Sequence, residues 1–537
     1  MTAASWEVAP QDAAGHLWDV IIIGSGAGGA TAGFNLARLG RSVLFVERGK
    51  LIHRDPAVLE GVPSVRTGNT ETALNHGWWP APFYHREEPG GTALPTKPPV
   101  GCGAGGSTAQ FGAVMDRFRP QDFTPRRFFA EMPEATVPEA WPISYEEMVP
   151  FYERAESLYR VRGTSDPLAP AGAPLLDPPL PSNREVAVLD ALKGVGLNPY
   201  RLHSAAERVP GCVGCPGMIC PRECRNDAAR ICLYPALDSY GAKIISNCRA
   251  VEFTAKNRVV EQVICEWRRQ RIALRARVFV LAANAFLTPA LLQRSANDRF
   301  PDGLANSSGL VGRNLMLHAT NHMFVELKRP AQPLGSGMNH GLSLNDFYTH
   351  DGTKLGNIHA HPITTRDELL TYMVQNYWGL KLLPGSLLSR IAPSIGGFLC
   401  RSWTVFAAIV EDLPYPTNHV AAKPDSDEDI VYTYRYPDEL RRRAQMMCDS
   451  FKTAVSPVLE VRPLQPMGAL NGSHVCGTCR FGDDPRTSVL DRDNRAHDLD
   501  NLYVLDASFF PSSGGINPSL TIVANALRAT DKIARRL

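Results

Sequence analysis

Apolar residues recur along this chain in two rhythms. From Val20 to Ile23 they run unbroken and rich in β-branched side chains, as in a short buried strand. Ala30, Ala32, Leu36, Ala37 and Leu39 then space out as one face of a helix that Gly40 ends, and "SVLFVE" is again continuous. The order predicts strand, turn, helix, strand. Between Lys50 and Pro99 the pattern dissolves into proline, glycine and aromatics ("NHGWWPAPFYHREEPGG"), which predicts an excursion over a surface, with Trp78 and Trp79 packed there or lining a site. "WPISYEEMVPFYERAESLYRV" predicts a helix capped by Ser144 with Glu147 three residues on. "AKIISNCRAVEFTA" and "RVVEQVICEWR" read as strands, and "ARVFVLAANAFLTPALLQRS" as a buried strand turning into a helix. Residues from about 320 to 470 alternate in short runs, "TVFAAIVEDL" and "IVYTYRY" among them, and predict an antiparallel sheet. The last 37 residues, from "NLYVLD" onward, give a strand, a glycine-containing loop and a terminal helix. No internal repeat is present.

With 537 residues, 44% hydrophobic and 20% charged, the chain is too long for one simple core, and two domains are expected. A net charge of +2 without a basic run gives no footprint for nucleic acid and no polybasic membrane tether, so the expected partner is a small molecule. The first residues lack a basic segment followed by an apolar one, which favours the cytoplasm. No stretch reaches the roughly 18 to 20 apolar residues of a membrane helix. The nearest, 379–400, is broken by Lys381, Arg390, prolines and glycines, and reads as a core segment or flap, with a docking surface as the alternative.

Gly24, Gly26 and Gly29 hold a G-x-G-x-x-G spacing between the first strand and helix, and Glu47 closes the second strand. Missing side chains let backbone N–H groups and the positive end of a helix approach a pyrophosphate, while the acid suits a ribose hydroxyl. The motif alone leaves NAD and FAD open.

A second glycine cluster, "GCGAGGSTAQFG", follows at 101–112, and "SHVCGTCRFGDDPRTSV" stands at 473–489. By itself Cys476-x-x-Cys479 reads as a thiol-disulfide pair, which would make a flavin-linked disulfide reductase, but no second nucleotide fingerprint is present. Taken together, "IIIGSGAGGATAGFNLA", "GAGGSTAQFGAV", "ANAFLTPALLQRSA", "VGRNLMLH", "SHVCGTCRFGDDPRTSVLD" and "NLYVLDASFFPSSGGINPSL" resemble the glucose-methanol-choline (GMC) family of FAD-dependent oxidoreductases. Within it the bacterial sugar dehydrogenases, glucoside dehydrogenases and pyranose oxidases are most similar, on the GGSTAQFG cluster and the cysteine-rich insertion.

The resemblance implies an α/β fold: a Rossmann-like FAD-binding domain assembled from residues 1–135, 205–320 and 470–537, and an α+β substrate domain with an antiparallel sheet from 136–204 and 321–469. It implies oxidation of a CH–OH group of a sugar, glycoside or other alcohol. His474 occupies the family's base position and Asn517 its second position; an imidazole with a pKa of about 6.5 takes up a proton at ordinary pH, whereas an amide holds an oxygen without doing so. FAD contacts are expected from Gly24, Gly26, Ala27, Gly29, Glu47, Arg48, Gly103, Gly105, Gly106, Ser107, Asp506, Ala507, Asn517, Pro518 and Ser519. Relatives that attach FAD covalently place a histidine where this chain has Ala109, Gln110 and Phe111, so a dissociable FAD is expected, with Cys102 as an outside candidate for attachment. Cys212, Cys215, Cys220 and Cys224 approach the spacing of a family iron–sulfur cluster, but Gly214 replaces one cysteine; cluster, zinc and a thiol-lined loop stay open. His359 and His361 read as incidental rather than metal-binding. The electron acceptor is oxygen or a partner carrier. Alternatives from other classes are a lyase that retains redox-silent FAD and a non-catalytic flavin-binding subunit.

Overall fold

The computed structural model describes residues 6–51, 77–97, 99–207, 209, 212, 219–220, 222–328, 341–360, 404–423, 426, 429–463 and 470–537. The apolar run at Val20–Ile23 lies in β1 (Leu17–Ile23), the centre of a parallel sheet. On one side β1 pairs with β2 (Val43–Val46), which pairs with β6 (Lys243–Ile245); on the other it pairs with β9 (Gln270–Leu281), flanked in turn by β20 (Leu502–Val504). N-terminal, central and C-terminal segments thus share one sheet. The first half of β9 leaves it to form an antiparallel meander with β8 (Val259–Trp267) and β7 (Cys248–Lys256).

Helices cover this sheet because their apolar faces have nowhere else to go. In α2 (Ala27–Arg38) Leu36 and Ala37 are buried, and Asn35 ties the helix to α8 (Ser519–Arg536) by donating to Thr530 Oγ1 at 2.9 Å. Leu520, Val523, Ala524 and Leu527 of α8 repeat at helical spacing and are buried. The capping box at Ser144 and Glu147 opens α3 (Tyr145–Leu158), whose Tyr152 hydroxyl lies 2.9 Å from Thr521 Oγ1. Shorter helices are α1 (Pro10–Ala14), α5 (Tyr234–Ser239) and α6 (Leu287–Arg294), the last following β9 as expected, while α4 (Asn183–Gly194) packs Val188 and Leu192 into the core of a second sheet.

The second sheet is antiparallel, in the order β18 (Leu459–Pro463), β10 (Met316–Leu327), β15 (Thr404–Val410), β14 (Gly356–Ala360), β11 (Leu342–Leu344), β5 (Tyr200–Arg201), with β19 (Leu470–Cys476) also on β10. Its two faces differ in chemistry. Ala319, Met323 and Val325 of β10, with Phe406, Ala408 and Val410 of β15, pack against Leu440, Ala444, Met447 and Phe451 of α7 (Asp438–Val455). The register places Thr320 in a row with Ile409 and Asn357 and His322 in a row with Ala407 and His359 on the opposite face, and His318 precedes Thr320 by two residues on that side. Period-two alternation therefore gives one mainly apolar face and one on which His, Thr and Asn side chains are mixed with Ala407 and Ile409.

Two expectations change. "IVYTYRY" contributes β17 (Ile430–Thr433) not to this sheet but to a third, pairing antiparallel with β16 (His419–Ala422) and parallel with β3 (Phe83–Arg86). The supposed surface excursion thus holds β3 and β4 (Leu94–Thr96), paired with each other. These strands are only four and three residues long, and prolines hide their alternation, but Phe83 is fully buried against Phe286, at 5.2 Å between ring centroids. A small hairpin, β12 (Thr349–His350) and β13 (Thr353–Lys354), completes the strands of the described residues.

Candidate active site

The two glycine clusters meet. A Cβ on Gly106, which has φ +53°, would stand 2.9 Å from Gly26 Cα, so the turn after β1 and the segment at 101–106 touch backbone to backbone. Gly28, absent from the expected contacts, is the tightest position: a Cβ there would lie 1.8 Å from the Leu505 carbonyl oxygen, where α2 seats on the chain leaving β20. Only its place inside the expected helix disguised it. Gly26 caps α2 without a side-chain hydrogen bond, which leaves the first-turn N–H groups to face an anion. This bare, close-packed cradle fits the pyrophosphate of a dinucleotide.

Glu47 lies where expected, at the end of β2, and binds the cradle together. Its Oε2 accepts from Ser25 N at 3.0 Å and Ser25 Oγ at 2.7 Å; its Oε1 accepts from Gly49 N at 2.9 Å and Gly103 N at 3.1 Å. A ribose hydroxyl reaching this carboxylate would share it with the Ser25 hydroxyl, the partner free to rotate. Ser107 Oγ accepts from Gly101 N at 3.0 Å, and the Arg48 guanidinium sits 5.3 Å over Trp79. Asp506 is buried and holds the backbone, accepting from Ser508 N at 2.8 Å and Asn284 N at 3.0 Å; burial raises its pKa. Ala507 is buried beside it, and Pro518 and Ser519 open α8.

His474 and Asn517 come together. Asn517 Nδ2 lies 3.3 Å from His474 Nε2, joining β19 to the loop before α8. Burial first, then the nearby His318 and His359 rings, hold the His474 pKa well below the ordinary imidazole value, so the ring is neutral at physiological pH. Asn517 Oδ1 is buried without a hydrogen-bond partner. His318 of β10, quoted within "VGRNLMLH" but given no role there, stands 2.9 Å from His474, Nδ1 to Nδ1. Its imidazole between Leu317 and Ala319, at the start of a strand, was the signal available.

Beneath the 512–517 loop lies a buried ionic cluster that sequence reading missed altogether. Lys354 Nζ is 2.7 Å from Asp122 and 2.5 Å from Glu411, with all three side chains inaccessible. Glu411 Oε1 accepts from Gly514 N at 3.2 Å, and Tyr348 OH accepts from Gly515 N at 3.0 Å. The ion cluster therefore fixes the backbone that presents Asn517.

Cys476 and Cys479 are buried thiols, and burial pushes both pKa values well up, as packing residues rather than a redox pair would have them. Cys224 hydrogen-bonds to Cys220 and Cys212 and is pushed up to about 12, mainly by burial and then by those neighbours. Among the described residues no group of three or more His, Cys, Asp or Glu is placed to hold a metal ion, so the metal-binding alternative for the cysteines at 212–224 gains no support there. Cys215, His361 and residues 379–400 lie outside the described residues. Also among the described residues, no helix is long and apolar enough to cross a membrane.

Family profiles described as GMC oxidoreductase match residues 142–320 and 418–526, and one described as an FAD binding domain matches 19–57. The 6'''-hydroxyparomomycin C oxidase of Streptomyces lividus is 30% identical across 98% of this chain and 92% of its own length. The chain belongs to the GMC oxidoreductase family. A second relative, paromamine 6'-oxidase of Streptomyces fradiae, is 29% identical over 98% of this chain and 93% of its own. The formate oxidase of Aspergillus oryzae shares the fold, with a TM-score of 0.63 at 15% identity over 97% of this chain and 98% of that one. This GMC protein is an FAD-linked oxidoreductase with the mixed α/β architecture expected of the family.

Proposed function

We propose that this GMC oxidoreductase converts a CH–OH group of a sugar, aminosugar or related polyol into a carbonyl, with His474 as base. Bound FAD would supply the hydride acceptor. The adjacency of a neutral imidazole and an amide with a buried, unpartnered oxygen, His474 and Asn517, carries the reading. His474 Nε2 takes the hydroxyl proton as the C–H bond gives up its hydride, and Asn517 holds the substrate oxygen. The polar sheet face beside His318 suits a hydroxylated substrate, and the relatives named for paromamine and hydroxyparomomycin C point to the same class. The two glycine clusters hold the FAD pyrophosphate, with Glu47 near the ribose, and FAD is dissociable because Ala109, Gln110 and Phe111 offer no histidine for attachment. Residues 1–135, 205–320 and 470–537 form the FAD domain and 136–204 and 321–469 the substrate domain, with β10 running across their boundary. Anaerobic mixing of the flavin-loaded protein with paromamine, D-glucose and a simple 1,2-diol tests this. Bleaching of the flavin absorbance supports hydride transfer. Carbonyl release with an unchanged yellow spectrum would instead make the protein a lyase.

A further inference from the structure

His318 is fully buried in β10, at a register shift against β19 between Met316 and His318. Such irregularities re-aim a side chain. Here the ring touches both halves of the proposed catalytic pair: Nδ1 lies 2.9 Å from His474 Nδ1, and Nε2 lies 2.8 Å from the Gly514 carbonyl oxygen and 3.3 Å from that of Ser513, on the loop that carries Asn517.

The hydrogen positions follow from what each atom is able to do. Carbonyl oxygens only accept, so His318 Nε2 carries its hydrogen. Burial pushes the His318 pKa down to about 4, so at neutral pH its Nδ1 is a bare lone pair. His474 Nδ1, facing that lone pair, must then be the donor. Asn471 Nδ2, turned toward the same His474 nitrogen by Ser473 N at 3.0 Å on Asn471 Oδ1, is a donor and favours a bare Nδ1, but it stands off at 3.4 Å, and the 2.9 Å contact with His318 outweighs it. The opposite assignment needs a fully buried His318 that is charged with no carboxylate bonded to it, about three pH units above where that ring protonates.

We propose that His318 is a positioning residue that selects the Nδ1–H tautomer of His474, leaving Nε2 bare toward Asn517 as the proton acceptor. When Nε2 takes the substrate proton, Nδ1–H stays on His474 and the neutral His318 lone pair stabilises the resulting imidazolium. No second proton moves. The titratable groups that bear on this pair are His359 on β14, which acts on His474, and Asp122 and Lys354 under the loop, which act on His318. The inference rests on His474 being the base.

Two substitutions separate acceptor from clamp. His318→Asn keeps an acceptor oxygen near the Nδ1 position but does not reach Gly514 O. His318→Gln keeps a donor for Gly514 O but offers no acceptor at Nδ1. The expected result is that His318→Gln loses roughly 10²-fold in kcat with KM within about threefold, while His318→Asn recovers most of that loss, both at wild-type flavin content. In 15N-histidine-labelled protein, with His474 assigned by its loss in His474→Gln, the wild-type ring should read protonated at Nδ1 and bare at Nε2, and the His318→Gln ring as a tautomer mixture. Equal losses in the two variants, a better His318→Gln than His318→Asn, or a wild-type His474 protonated at Nε2 would overturn the proposal. If either variant fails to fold, the wild-type nitrogen shifts still decide it. Full activity in His474→Ala would instead remove the reading beneath it.

Discussion

Asn517 Nδ2 lies 3.3 Å from His474 Nε2 across 43 residues of intervening chain. The two groups divide the work because only the imidazole accepts a proton at neutral pH. Asn517→Ala should therefore lower kcat by about 10²- to 10³-fold, as removal of a single donor to a reacting oxygen does. Asn517→His, which keeps a donor, should retain more. Steady-state kinetics with flavin content measured on each sample checks this; an Ala variant within threefold of wild type would take Asn517 out of the chemistry.

Gly28 has no room for a side chain, since its Cβ would stand 1.8 Å from Leu505 O. The neighbour is backbone on a buried strand end and has nowhere to move. Gly28→Val should cost about 3 kcal/mol or more, above the usual range for overpacking, and should reduce FAD retention along with Tm. Thermal unfolding with the ratio of flavin to protein absorbance reads both.

Lys354 pairs with Asp122 and Glu411 where no water reaches. Lys354→Met leaves two acids sharing a dry site and should cost about 3 to 5 kcal/mol, because breaking a buried pair strands its partner charge. Replacing all three by Met, Leu and Leu should cost less than the single change. Urea denaturation of the single and triple variants gives the comparison, and a triple variant less stable than the single one would contradict it.

His359 titrates in the other direction from a salt-bridged group. Burial holds its pKa down at about 4, whereas an unfolded imidazole protonates near about 6.5. As pH falls between those values the unfolded chain takes up a proton that the folded chain refuses, so stability falls by about 1.4 kcal/mol per pH unit for this ring. Asp412, pushed up to about 7 by burial, works in the opposite sense, so the useful quantity is a difference. The stability deficit of His359→Gln relative to wild type should shrink as pH drops from about 6 to about 4.5. A deficit constant with pH would mean that the ring is charged in the folded state.

How far the sequence revealed all this differs from element to element. The β1, α2, β2 unit was legible because continuous apolar runs, a glycine turn and a terminal acid are all local signals, and the Ser144 cap is likewise written within four residues. The pairing of His474 with Asn517 was legible only through the family resemblance, since nothing local brings the loop before α8 onto β19. Two features escaped. Strand β3, on which β4 pairs, owes its existence to a partner more than 300 residues away, β17, which no window along the chain contains. The cluster of Lys354, Asp122 and Glu411 consists of residues that ordinarily face water, scattered over nearly the same span, so each alone looked like surface. The role of His318 was hidden for a related reason: its meaning lies in the direction of two hydrogen bonds, not in its spacing.

The most direct measurement is single-turnover reduction of the flavin-loaded protein by a hydroxylated substrate under anaerobic conditions, wild type against His474→Ala. The account predicts rapid loss of the flavin absorbance in wild type and a rate slower by about 10²- to 10⁴-fold in the variant, with the same spectrum before mixing. Equal rates in the two proteins would contradict the assignment of His474 as the base.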